Sequence, residues 1–252
     1  ARRRRVSFKK NLDFIKVFRF FAFAQNDKWT ILTIMTKYEL GRLCAAELEK
    51  LYPDAVCSLD YSGEAWKLLI MARLSAQCTD ARVNIVSKEL FEKFPTLKDV
   101  AEADIHALEE AVRPCGLYKT KAKSIKEACR IIVRDFGGEV PQTLDELLSL
   151  PGVGRKIANL LLGDLFGQPN IVTDTHCIRI CGRLGFYPES EKNPAKIEKI
   201  LDKYIEKPLQ SEFCHRIVYF GRDICTARSP KCEECPMKSF CKSYCNSKKS
   251  RI

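Results

Sequence analysis

The sequence predicts an all-α protein, and three observations carry that expectation. Apolar residues recur at spacings of three and four almost throughout from Met35 onward, as in the run Ala122, Ile125, Ala128, Cys129, Ile132, Val133 and Phe136. Helix-start signatures stand where such runs begin. Thr96 with Asp99 and Thr143 with Glu146 resemble capping boxes, and Pro95 and Pro141 mark the loops before them. Strand signals are almost absent, since residues 170–173 are too few to found a sheet.

The elements follow in chain order. The run through Phe136 should stop at Gly137-Gly138, which supply the left-handed backbone that closes a helix. Residues 143–166, TLDELLSLPGVGRKIANLLLGDLF, read as a short helix, a tight turn at Pro151-Gly152-Val153-Gly154 and a second, Leu-rich helix. Asp174 is placed to cap a further helix over 175–184. No internal repeat or low-complexity tract interrupts the chain.

At 252 residues the chain is one large domain or two small ones. A chain of this size buries roughly 70–75% of the surface it exposes when unfolded, so it needs no staples. With 46% hydrophobic and 30% charged residues it belongs among ordinary globular proteins. No apolar run approaches the ~20 residues that cross a bilayer. Collagen, disorder throughout and an integral membrane protein are excluded.

The net charge of +11 suggests a polyanionic partner, but the excess sits at the ends. Residues 1–34 carry +7 and residues 228–252 carry +5, while 35–227 carry −1. A middle segment that binds nucleic acid must therefore do so with localised groups. Residues 1–34, with four arginines ahead of an aromatic-rich stretch broken by Lys16 and Arg19, are read as a basic extension of doubtful status. A transit peptide and a basic arm on DNA are alternatives. The preferred reading is that translation starts naturally at Met35.

Thirteen cysteines is a high and odd number. Nothing in the sequence reads as a cleavable secretory signal, so a reducing compartment with a metal site is the better reading. Nine cysteines are scattered or lie in helical patterns, where a free thiol behaves as a small hydrophobe. Cys225, Cys232, Cys235 and Cys241 form a group spaced C-x6-C-x2-C-x5-C. Zinc sites usually pair two close couples, and this spacing also differs from common ferredoxin runs. The spacing alone therefore says four thiolates and a metal. Cys245 is a fifth nearby thiol, taken as a spare.

The hairpin carries the chemistry. Gly152 and Gly154 let the backbone come close to a partner and turn N–H donors outward at the positive end of the second helix, where a phosphate is the natural guest. An ordinary αα-hairpin would use glycines as well, for turn geometry alone. Lys156 tips the balance. It lies in the first turn of that helix, where the dipole disfavours a cation and so favours the neutral, nucleophilic amine.

The segment LPGVGRK resembles the helix-hairpin-helix of the endonuclease III family of DNA glycosylases. Other motifs support the resemblance in the same order: LSAQCTD at 74–80, GLYKTKA at 116–122, IVTDTH at 171–176, and the cysteine group. It covers roughly residues 35–241. It implies a two-lobed fold: a six-helix barrel with the hairpin over 58–168, and an iron–sulfur cluster lobe made of 35–57 and 169–252.

The implied activity is that of a bifunctional DNA glycosylase and AP lyase of base excision repair. It removes oxidised or ring-saturated pyrimidines from duplex DNA and cuts the strand 3′ to the abasic site by β-elimination. Lys156 matches the family's lysine that attacks C1′ and forms a Schiff base. Asp174 matches its catalytic aspartate, which steadies positive charge on the sugar. Because the target base must leave the stack, Gln77 and Leu117 match the residues that fill the vacated space. The four cysteines match the ligands of a [4Fe–4S] cluster whose loop brings Arg228 and Lys231 to the DNA backbone.

The partner implied is damaged double-stranded DNA, with no membrane role and a monomer as the default. The compartment is cytoplasmic or nucleoid in a prokaryote, nuclear or mitochondrial in a eukaryote. Two rivals stand beside this reading. An adenine-mismatch glycosylase of the same superfamily would lack a lysine at the position of Lys156, and a non-catalytic DNA-binding module would not need both Lys156 and Asp174.

Overall fold

The structure, a computed structural model, describes residues 35–249. The basic extension 1–34 lies outside the described residues. These form twelve α-helices, two 3-10 turns and no strand: α1 (Lys37–Leu51), α2 (Ala65–Leu74), α3 (Asp80–Lys93), α4 (Leu97–Glu102), α5 (Ile105–Val112), α6 (Tyr118–Asp135), α7 (Leu144–Ser149), α8 (Arg155–Phe166), α9 (Thr175–Leu184), α10 (Pro194–Tyr204), α11 (Gln210–Asp223) and α12 (Lys242–Lys249). None of the described helices is long and apolar enough to cross a membrane.

Local chemistry sets most helix starts. Thr36 with Glu39 and Thr96 with Asp99 form reciprocal capping boxes, in which each side chain satisfies the other residue's backbone N–H. At Thr143 the exchange is different. Its hydroxyl accepts from Glu146 N–H at 3.4 Å, but the Glu146 carboxylate takes the hydroxyl proton rather than the cap's own N–H. Asp104, two residues after α4 ends, accepts from Ala107 N–H at 3.0 Å and starts α5 as a separate segment. Past the end of α6, Gly137 and Gly138 have positive φ, and Gly138 N–H donates back to Ile132 O at 2.9 Å.

The apolar faces of these helices close two cores. The first joins α2 through α8, with Leu68, Leu74, Val83, Leu108, Ile132 and Leu161 fully buried. The second joins α1 to α9, α10 and α11 and the loop that follows, around Leu48, Ile180, Phe186, Leu201, Ile217 and Phe220. Each such side chain contributes about 1.5–3 kcal/mol of burial against the entropy of ordering the chain. The chain thus crosses between lobes twice, before α2 and after α8.

Two arginines bridge the lobes through ion pairs. Arg155, the first residue of α8, makes a two-pronged contact with Glu198 of α10 at 2.7 and 2.8 Å. Arg222 of α11 donates to Asp80 at 2.7 Å and to Ser58 Oγ at 3.1 Å. Asp80 is therefore an interlobe anchor, while Thr79 caps α3 through Arg82 N–H.

Candidate active site

The turn between α7 and α8 separates its two glycines by role. Gly152 has φ +81°, and a Cβ there would lie 2.5 Å from Arg73 Nε and 2.9 Å from Ser124 Cβ. Only glycine fits that contact, so this residue seats the turn on α2 and α6. Gly154 has an ordinary φ of −96° and nothing within 4 Å of a Cβ. Its open side faces away from the protein and leaves room for an approaching ligand. Val153 between them is buried, pinning the turn to the first core. Gly154 is also the N-cap of α8 and supplies no side-chain cap, so the first amides of the helix are left to a ligand or solvent.

Lys156 lies in that first turn, exposed. One turn further, buried Asn159 donates from Nδ2 to Ile171 O at 2.9 Å and ties α8 to the segment that leads into α9. That segment ends at Asp174, the N-cap of α9. One oxygen, Oδ1, accepts from Cys177 N–H at 2.7 Å, and Oδ2 stands 3.0 Å from His176 Nδ1. Burial acts to raise the Asp174 carboxyl. The His176 contact, the Cys177 N–H and the positive charge of Lys156 outweigh it and hold the carboxyl below the usual carboxylate range. The capping role and an electrostatic role toward Lys156 coexist in one side chain. His176 and Asn159 were not among the residues picked from the sequence.

Gln77 and Leu117 stand on separate loops, one after α2 and one before α6. Both hold a left-handed backbone, with φ of 54° and 49°, which non-glycine residues rarely adopt. Both are exposed, Leu117 at 57%. Apolar exposure on a strained backbone is an expensive combination unless something else uses it.

The cysteine loop is held from α9. Arg179 donates to Cys225 O at 3.0 Å, and Arg183 donates to Thr226 O at 2.8 Å and to Ala227 O at 3.0 Å. Cys225, Cys232, Cys235 and Cys241 line one cavity of about 300 Å³, and Cys245 does not line it. Burial pushes the Cys241 thiol up to about 11 and lifts those of Cys232 and Cys235. Among the described residues, no three His, Cys, Asp or Glu side chains converge closely enough for a single ion. Arg228 is exposed on the loop, and Lys231 is exposed and 3.4 Å from Asp223. A larger groove of about 1180 Å³ opens between residues 53–62 and the start of α11, and contains none of the predicted residues.

Two family models match the chain. One, the HhH-GPD superfamily base excision DNA repair protein, covers residues 70–207, and the other, the iron–sulfur binding domain of endonuclease III, covers residues 225–241. The chain is 45% identical over 197 residues to the endonuclease III of Synechocystis sp., covering 78% of this chain and 89% of that one. It is 41% identical over 199 residues to that of Bacillus subtilis, covering 79% and 90%. Among solved structures it resembles a trapped endonuclease III–DNA covalent intermediate, with a TM-score of 0.79 and 42% identity over 85% of this chain and all of the other. A non-covalent endonuclease III–DNA complex matches with a TM-score of 0.80 and 42% identity over 87% of this chain and all of the other. Matches of this extent in sequence and fold leave one conclusion: the chain belongs to the endonuclease III family of HhH-GPD base excision DNA repair proteins.

Proposed function

We propose that the cleft between the two lobes is the active site of a base excision repair glycosylase and AP lyase acting on oxidised or ring-saturated pyrimidines in duplex DNA. The observation that carries the reading is the pairing of two helix starts. Lys156 lies in the first turn of α8, and Asp174, its carboxylate oriented by His176 and the Cys177 N–H, caps the start of α9.

The chemistry follows from those positions. The open amides at Gly154 and the start of α8 hold a DNA phosphate, while Gln77 and Leu117 enter the duplex and keep the extruded base out of the stack. The amine of Lys156, after giving its ammonium proton to solvent, attacks C1′ of the flipped nucleoside, and the base leaves with the glycosidic bond electrons. Asp174 stabilises positive charge on the sugar and accepts the proton that the amine loses on attack; the C1′–O4′ bond then opens, with O4′ taking up a proton, as the C=N bond of the Schiff base forms. Loss of a C2′ proton then breaks the C3′–O bond and cuts the strand.

The cysteine loop is a DNA contact rather than part of the bond-making centre. A [4Fe–4S] cluster takes one thiolate at each iron, which sets its ligands apart around a shared volume; four thiols around one cavity suit it better than they suit a single zinc ion. Cys225, Cys232, Cys235 and Cys241 would hold it, and it would supply a cross-link that shapes the loop bearing Arg228 and Lys231. The protein acts as a monomer in this reading. The relatives named above carry the endonuclease III name, so the adenine-mismatch reading is not favoured.

Borohydride trapping tests this. The holoprotein is mixed with duplex DNA containing thymine glycol, and separately with an abasic duplex, each with and without Lys156→Ala. An adduct on both substrates that vanishes in the variant is the expected result. An adduct that survives Lys156→Ala moves the nucleophile elsewhere, and an adduct on the abasic duplex alone refutes the lesion class.

A further inference from the structure

Lys121 is the most unusual residue outside the site. It stands in GLYKTKA, four residues before Ile125 and seven before Ala128, so helical periodicity puts a lysine on the apolar face of α6. Its side chain is fully buried there, among the largest fully buried side chains in the described chain. A lysine ammonium is rarely buried without partners, since removing it from water is costly unless its N–H groups are satisfied.

Its partners are two carbonyls on different loops. Lys121 Nζ donates to Leu74 O at 2.8 Å and to Cys115 O at 2.8 Å. Leu74 is the last residue of α2, and Cys115 is the last residue of the 3-10 turn Arg113–Cys115. Carbonyls at such ends lack an intrahelical donor and carry the negative end of the helix dipole. One cation therefore closes two helical ends at once. The loops so joined are the two that carry Gln77, three residues past Leu74, and Leu117, two residues past Cys115. The backbone N–H of Lys121 also donates to Leu117 O at 3.0 Å.

The same turn of α6 reaches the hairpin. Ser124 Oγ donates to Lys121 O at 3.0 Å and accepts from Arg73 Nε at 2.9 Å, and Arg73 and Ser124 are the atoms against which Gly152 is seated. Left-handed non-glycine residues persist only where their surroundings over-determine them. Here the surroundings of both strained residues converge on one buried ammonium.

We propose that Lys121 is a positioning residue that locks the Gln77 and Leu117 loops at a fixed separation, so that the two side chains enter the duplex as one probe. This rests on the reading of Gln77 and Leu117 as the residues that fill the duplex. It gives Lys121 a specific task in base extrusion, separate from the chemistry at Lys156.

The test is single-turnover excision of thymine glycol from a duplex, measured beside borohydride trapping on an abasic duplex in which no base needs extruding. The variants are Lys121→Met, Lys121→Gln, Leu117→Ala, Gln77→Ala and Lys121→Met combined with Leu117→Ala. Lys121→Met is expected to slow excision about tenfold or more, as small misplacements near a reacting centre do, while trapping changes by less than about twofold. In the Leu117→Ala background the same change should add little, because the probe it positions is already gone. Lys121→Gln, which keeps two N–H donors, should recover part of the rate, and it stands in for the Met variant if that fails to fold. Phe186→Leu, which loosens the other core, should leave the ratio of excision to trapping unchanged.

Equal losses on both substrates, or full additivity with Leu117→Ala, would overturn the positioning role while leaving the parent reading intact. Unchanged excision in both Leu117→Ala and Gln77→Ala would overturn the parent reading and this one together.

Discussion

His176 Nδ1 lies 3.0 Å from Asp174 Oδ2 although the two residues are only two apart in sequence. Within a helix, residues at that spacing do not face each other. They meet here because Asp174 is the N-cap, with ψ of 178°, so its side chain folds back over the first turn of α9. The carboxylate is consequently held at both oxygens, one by His176 and one by the Cys177 N–H.

Capping and chemistry at Asp174 separate by substitution. Asn caps a helix about as well as Asp, so Asp174→Asn should lose only the stability that depends on the carboxylate charge, while Asp174→Ala should lose about 1 kcal/mol more with the cap. Both should slow base excision by about tenfold or more, since neither leaves a carboxylate near Lys156. Thermal unfolding set beside single-turnover kinetics reads the two effects. An active Asn variant would reduce Asp174 to its structural role.

The pH dependence of Asp174 has a definite sign. Its folded pKa lies below the unfolded value of about 3.9, so its contribution to stability is complete above that pH and is lost as pH falls through the folded value. For the same reason Asp174 should remain ionised, and the rate unimpaired by it, through the ordinary carboxylate range. Replacing His176 with Ala removes the strongest interaction that lowers the pKa, and should move the acid limb of the trapping rate toward higher pH. An acid limb that does not move would separate His176 from the carboxylate.

Gly152 and Gly154 should fail differently. Gly152→Ala meets Arg73 and Ser124 on a left-handed backbone and should cost roughly 1–3 kcal/mol of stability. Gly154→Ala has open space and should melt as wild type, yet bind DNA more weakly because the methyl group occupies the ligand's side of the turn. Melting temperature against fluorescence-anisotropy affinity distinguishes them; an unaltered affinity in Gly154→Ala would remove the phosphate from that position.

The five clustered thiols also divide. Cys245→Ala should keep full iron content and brown colour, because Cys245 does not line the shared cavity. Cys232→Ala should lose iron and weaken the second lobe. Iron analysis with visible absorption is the measurement, and iron retained in Cys232→Ala would redraw the ligand set.

Arg228 is exposed on the same loop, and its reading as a DNA residue is that of a phosphate contact. Arg228→Ala should weaken binding similarly across sequences and reduce the slope of log affinity against log salt by about one. An unchanged slope would take Arg228 out of the interface.

Much of this was legible in the chain. Helix starts at Thr96 and Asp174, the stop at Gly137-Gly138, the turn at 151–154 and the clustering of four cysteines are local patterns, set by contacts three or four residues apart or by the φ that only glycine readily takes. Tertiary structure alone decided the rest. Lys121 can stand on an apolar face because the fold brings it the carbonyl of Leu74, 47 residues away in sequence, and Arg183 anchors the cysteine loop across 43. Gly152 differs from Gly154, and Cys245 from its four neighbours, only through what the folded chain packs beside each. Sequence periodicity reports which face of a helix is apolar; which atoms of another helix fill that face depends on how the lobes close.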